Sequence, residues 1–249
     1  MMQAKARNKL RLAVDACLTV LLLCLMAYQV TGEALHEWIG MGMTAVLILH
    51  HVLNARWYGV LFKGKYNAFR VISTVVNTLL LASIALTALC GMSMSSHAVP
   101  FLYGMLPVAF ARRFHLAMSF WSFLLMGLHL GLHLPAMTAK VTPSRSAQAL
   151  LTCVFTLVAG AGLGFFLFNG IPDYLFFRTP FAFLDYDKPA VFVFLESLAE
   201  LFFFAFLGAN TIRLLQSRGK GKAGRKPRLI AVYGIALAVL IGILMSRGR

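Results

Sequence analysis

HEWIGMGMTAVLILHHVL, residues His36–Leu53, and FHLAMSFWSFLLMGLHLGLHLPAM, residues Phe114–Met137, decide how this chain is read. Both are apolar over the length of a membrane crossing, which takes ~20 residues of helix. Together they hold His36, His50, His51, His115, His129 and His133, six of the seven histidines in the chain. Ionisable side chains inside a membrane are costly and mark functional sites. The spacing says more than the count. His36 and His50 are 14 residues apart, and so are His115 and His129. Fourteen residues make nearly four helical turns, so each pair shares a face with its members ~21 Å apart along the axis.

Five further apolar runs flank these two: Leu10–Val30, Val71–Gly91, Ala147–Phe168, Ala190–Leu214 and Leu229–Met245. With His36–Leu53 and Phe114–Pro135 they predict about seven spans, the last being the shortest. Leu10–Val30 is too long for a secretory signal and lacks a small-x-small cleavage site, so it reads as an uncleaved span. The composition agrees. Of 249 residues 60% are hydrophobic and 12% are charged, against ~25% charged in soluble domains. A soluble enzyme, a disordered chain and a nucleic-acid-binding protein are thereby excluded. Cys17, Cys24, Cys90 and Cys153 all lie in apolar runs and read as small core hydrophobes. No C-x-x-C-H attachment motif is present.

The net charge of +15 is a matter of topology. Lys5, Arg7, Lys9 and Arg11 precede the first span, and Arg56, Lys63, Lys65 and Arg70 follow the second. Lys140 and Arg145 follow the fourth, and seven more run from Arg213 to Arg228. The opposite loops hold Arg112, Arg113, Arg178, Lys188, Arg247 and Arg249. A 17-to-6 excess places the N-terminus in the cytoplasm. The expected organisation is a membrane domain over 1–217, a basic cytoplasmic loop over 218–228 and a last helix over 229–249. The aromatic outer loops Met92–Arg113 and Asn169–Lys188 are expected to lie along the interface or cap the bundle.

In this topology the second and fourth spans run parallel. His36 then lies level with His115, and His50 with His129. Two levels of facing imidazoles suit two stacked b-type haems, each iron taking one nitrogen from each helix. The inner level admits His50 or His51 with His129 or His133, and the matched spacings favour His50 with His129. Arg113, with Arg112, and Arg56 suit haem propionates, or else serve topology. Gly40, Gly42, Gly127 and Gly131 either let a flat macrocycle approach or mark tight helix contacts. His129 and His133 have i, i+4 spacing, but no H-E-x-x-H zinc motif is present. His97 reads as a surface residue and Asp15 as an interface residue. Glu196 and Glu200, one turn apart, are expected to be protonated, paired with a histidine or arginine, or part of a proton path. A different class of function, a histidine/glutamate-based metal-ion or proton-coupled transporter, uses the same residues. It lacks the short, broken span pair of such proteins. A non-catalytic membrane anchor is the third reading.

HEWIGMGMTAVLILHHVLNARW (His36–Trp57) with FKGKYN (Phe62–Asn67), the fourth-span stretch Phe114–Met137 and FAFLDYDKPAVFVFLESLA (Phe181–Ala199) resemble the flavinylation-associated cytochromes, over roughly residues 31–210. The resemblance implies an all-α transmembrane bundle with a di-haem cytochrome b-like core in a bacterial cytoplasmic membrane. It implies His36, His50, His115 and His129 as axial ligands of two haem b groups. It also implies electron transfer to an extracytoplasmic FMN-binding flavoprotein or another redox subunit, with quinone as a further candidate partner. Similar arrangements occur in cytochrome b subunits of formate dehydrogenases and hydrogenases, so the chain would be the electron-carrying membrane subunit of an oxidoreductase or quinol-oxidising complex.

Overall fold

The computed structural model describes residues 2–138 and 144–219. The seventh span expected at Leu229–Met245, and the basic loop from residue 220 onward, lie outside the described residues. Among the described residues every regular element is helical: α1 (Met2–Met26), α2 (Tyr28–Leu53), α3 (Arg56–Val60), α4 (Ala68–Met92), α5 (Val108–Thr138), α6 (Arg145–Phe168), α7 (Ile171–Leu175) and α8 (Ala190–Gly219). A 3-10 turn, Pro100–Leu102, interrupts the loop before α5.

Among the described residues four helices are long and apolar enough to cross a membrane, within Ala68–Met92, Val108–Leu134, Ser146–Phe168 and Ala190–Leu215. Their ends follow local chemistry. The Asn67 side chain accepts from Arg70 N at 2.8 Å and caps α4. Ser144 accepts from Ala147 N and caps α6. The outward faces of α6 and α8 stay apolar and exposed at Leu150, Leu157 and Phe192, as lipid-facing surfaces do.

α1 and α2 are 25 and 26 residues long. The loop expected between them is almost wholly helical. Only Ala27 separates the two helices, and Gly32 (φ 70°, ψ 174°) breaks α2 after its first turn. That backbone conformation excludes most side chains but not glycine, so Gly32 turns the chain where the sequence suggests a loop. At the opposite end, Arg7 and Arg11 donate to the Leu53 carbonyl. They satisfy an orphan acceptor at the C-terminus of α2.

α5 lies at the centre, packed against α4 on one side and α8 on the other, while α8 also holds α6 and α1 holds α2. The α5–α8 contact is very close. A Cβ on Gly127 would meet Phe204 Cβ at 2.5 Å, one on Gly131 would strike the Ala205 carbonyl, and one on Gly208 would meet the Leu128 carbonyl at 2.5 Å. Gly127 and Gly131 therefore serve helix packing and not a macrocycle, since close approach of membrane helices requires small residues. Gly42, by contrast, faces open space. α7 caps one end of the bundle, where α6 finishes: Ile171, Pro172, Tyr174 and Leu175 are buried. Tyr174 stacks on Phe120 at 4.7 Å, and Trp121 Nε1 donates to the Leu175 carbonyl.

A dry layer crosses the molecule at mid-depth. Leu18 and Leu22 of α1, Met43 of α2, Leu80 and Ile84 of α4, and Phe123 and Met126 of α5 form one buried cluster. Its polar exceptions, Ser83 and Ser122, bond each other at 3.0 Å. In sequence Met43 lies between His36 and His50, and Phe123 between His115 and His129. The two histidine levels are thus divided by hydrocarbon.

Candidate functional site

The outer level joins α2 to α5. The rings of His36 and His115 stand 6.0 Å apart, centre to centre, at 71° to each other. Elsewhere α2 packs mainly on α1, and at this level its His36 ring meets the His115 ring of α5. Each is held differently. His115 Nδ1 donates to the Thr87 carbonyl of α4 at 2.9 Å, which leaves Nε2 of the neutral ring as a free lone pair. A carbonyl on Nδ1 is the usual way a metal-binding histidine is oriented. Gly91 makes room for that ring: a Cβ there would lie 3.0 Å from His115 Cε1 and 3.2 Å from Nδ1. His36 Nδ1 is buried with no hydrogen-bond partner, and Tyr28 packs edge-on against its ring at 5.1 Å. Buried polar nitrogens are rarely left so.

The inner level gathers four imidazoles with partners from α1, α3 and α4. His129 Nδ1 donates to Asn77 Oδ1 of α4 at 2.8 Å. His50 Nδ1 donates to Asp15 Oδ1 of α1 at 2.8 Å. His51 Nδ1 shares a hydrogen bond with the Tyr58 hydroxyl of α3 at 2.7 Å. Ring contacts here run within each helix, His50 with His51 at 5.5 Å and His129 with His133 at 4.8 Å. His133 is exposed. Of the four, His50 and His129 are the pair whose Nδ1 atoms are donated to side chains of α1 and α4, in the same manner as His115 to Thr87.

Asp15, Asn77, Thr87, Gly91 and Tyr58 were not expected at a site. Asp15 is the only acidic residue in the first span and Asn77 the only amide in the third, and residue type is the signal that could have marked them. Asp15, read from the sequence as an interface residue, has a half-exposed side chain and bonds His50. Thr87 acts through its carbonyl, which any residue carries, so no signal marks it. Arg56 and Arg113 are exposed, the first at the start of α3 and the second on the opening turns of α5.

Glu196 and Glu200 are paired, though with neither a histidine nor an arginine. Asn169 Nδ2 donates to both, at 3.2 and 2.9 Å. Lys188 Nζ bonds Glu196 at 2.9 Å, and Glu200 is buried. His97 is exposed, as expected of a surface residue, and faces Glu37 at 3.5 Å. Glu37 accepts from Ser95 Oγ and from the backbone N–H groups of Ser96, His97 and Ala98. This carboxylate locks the outer end of α2 to the loop after α4.

The fit of a haem iron can be judged from the outer pair. Imidazole nitrogens bind metals at ~2 Å, so two rings on one ion have centres roughly 6 Å apart. The spacing of His36 and His115 suits that arrangement. Compared with known protein families, with curated proteins and with solved structures, the chain matches none.

Proposed function

We propose that the chain is a transmembrane one-electron carrier, a bis-histidine di-haem b cytochrome in which α1 and α2 complete the membrane bundle with α4, α5, α6 and α8. The observation that carries this reading is the His36–His115 pair, one imidazole from α2 and one from α5 with ring centres 6.0 Å apart. His36 and His115 would hold one haem at the outer level, and His50 and His129 the other at the inner level. Bound there, haem b supplies reversible one-electron chemistry at iron. The protein's own groups do the rest. Thr87, Asn77 and Asp15 fix the tautomers of His115, His129 and His50 by accepting their Nδ1 protons. The buried cluster around Met43, Leu80 and Phe123 excludes water between the levels. It lowers the local dielectric and denies protons a path. The electrons would leave outside toward a flavin-bearing or other redox subunit, with quinol or a cytoplasmic donor supplying them. The N-terminus is cytoplasmic in this reading. The transporter alternative needs the glutamates and histidines on one path. Among the described residues no hydrogen bond or ion pair joins Glu196 or Glu200 to a histidine.

The purified full chain, reduced with dithionite, is expected to show a b-type spectrum with two haems per chain. A haem-free preparation from cells that load other cytochromes would reject the proposal. His51→Ala and His133→Ala are each expected to keep both haems, because neither ring has a partner on α1 or α4; loss of one haem in either variant would move the inner ligand to that residue. Gly91→Ala is expected to weaken the outer haem alone. The new methyl presses on His115 and strains its bond to Thr87, and lost outer-shell support costs ~10–100-fold in metal affinity. Haem titration of the apoprotein, with the two components resolved by potential, measures it.

A further inference from the structure

Among the six histidines of α2 and α5, only His50 donates Nδ1 to a carboxylate. His129 donates to a neutral amide oxygen, His115 to a backbone carbonyl, and His36 Nδ1 to nothing. Arg11, the cation nearest to Asp15 along α1, and Arg7 direct their guanidinium hydrogens to the Leu53 carbonyl, and among the described residues the ion pair of Asp15 is with His50. The two levels therefore differ in the charge behind their ligands. A carboxylate on Nδ1–H shifts electron density onto the imidazole and makes Nε2 a stronger donor. A stronger donor favours ferric over ferrous iron and lowers the potential, which such outer-shell hydrogen bonds tune.

We propose that Asp15 is the positioning residue that orients His50 and gives the inner haem the lower potential of the two, so that electrons run downhill from the cytoplasmic level to the outer one. The inference rests on the di-haem reading above. The step moves one electron: the iron held beside Asp15 goes from ferrous to ferric, and the iron held between His36 and His115 goes from ferric to ferrous. No bond forms or breaks, and no proton moves.

Redox titration of the haem-loaded full chain, followed optically, tests it. Two one-electron midpoints are expected. Asp15→Asn should raise the lower midpoint by at least a tenfold change in the one-electron equilibrium, about 59 mV, and leave the upper one in place. Asp15→Glu should restore most of the shift. Asn77→Asp puts a second carboxylate behind the inner level and should lower the same midpoint by a similar factor. His36→Ala should retain the lower-potential component. A lower midpoint unmoved in both Asp15→Asn and Asn77→Asp, a shift confined to the upper midpoint, or survival of only the upper component in His36→Ala would overturn the proposal. Should Asp15→Asn fail to load the inner haem, Asn77→Asp decides alone. A wild-type chain without haem overturns the di-haem reading as well; two haems with unmoved midpoints overturn this inference only.

Discussion

On the di-haem proposal His36→Ala is expected to hold one low-spin b-type haem against two in the wild type, and His115→Ala to do the same. The geometry makes the outer pair a unit. Neither ring has a substitute imidazole beside it, because the only other histidine toward that side, His97, is turned to Glu37 and Ser96. Loss of a direct ligand should exceed the ~10–100-fold penalty in affinity that loss of a supporting hydrogen bond brings. Electron transfer across vesicles, from a trapped donor to an impermeant ferric acceptor outside, should fall by more than about 100-fold by the same reckoning. His97→Ala is the control and should keep both haems and the rate. Two low-spin haems in His36→Ala would show that the outer pair binds no iron and would remove the observation on which the function rests.

What the sequence discloses here follows from where its information sits. Period and depth are carried by side-chain type, so the helices, the two histidine blocks and the sharing of a face at 14-residue spacing could all be read from it. The structure brings His36 and His115 together from positions 79 apart in sequence. Support from neighbouring helices was less legible. Asp15 is the one acidic residue of its run and Asn77 the one amide of its own, and nothing in one sequence says which imidazole each will meet. Thr87 contributes a backbone carbonyl and Gly91 an absence of side chain, so neither leaves a residue-specific mark. The glycines misled in a different way. Gly127 and Gly131 flank a histidine, which suggested room for a macrocycle, yet both lie on the face turned to α8. A helix has more than one face, and adjacency along the chain does not say which one a residue occupies. Glu196 and Glu200 show the same limit: their partners, Lys188 in the loop before α8 and Asn169 at the end of α6, are not identifiable as partners from spacing.

That interlocked face leads to the second large effect. Gly131→Val is expected to destabilise the protein more than any substitution on the lipid-facing surface. A side chain at residue 131 has nowhere to go: its first carbon would overlap the Ala205 carbonyl, which is main chain and cannot rotate aside. Overpacking a core ordinarily costs ~1–3 kcal/mol through small shifts of side chains. Here α5 and α8 must separate as a whole, and Gly127 and Gly208 on the same seam would lose contact with Phe204 and Leu128, so the upper end of that range, about 3 kcal/mol, is the least expected. For a domain of this size that corresponds to a fall in Tm of roughly 6–12 °C. The matched control is Gly164→Ala on α6, where a Cβ meets nothing within 4 Å; it should leave Tm unchanged or slightly raised, since alanine is the better helix former. The effect should also reach the site. α5 carries His115 and His129, and α8 is what holds α5 in place from behind, so displacing the seam should lower occupancy of both haems together, unlike His36→Ala, which removes one. Thermal unfolding in detergent with haem absorbance followed in parallel separates the two patterns. A Gly131→Val protein with wild-type Tm would mean that α5 and α8 do not meet at this register, and the placement of both histidine levels on α5 would have to be redrawn.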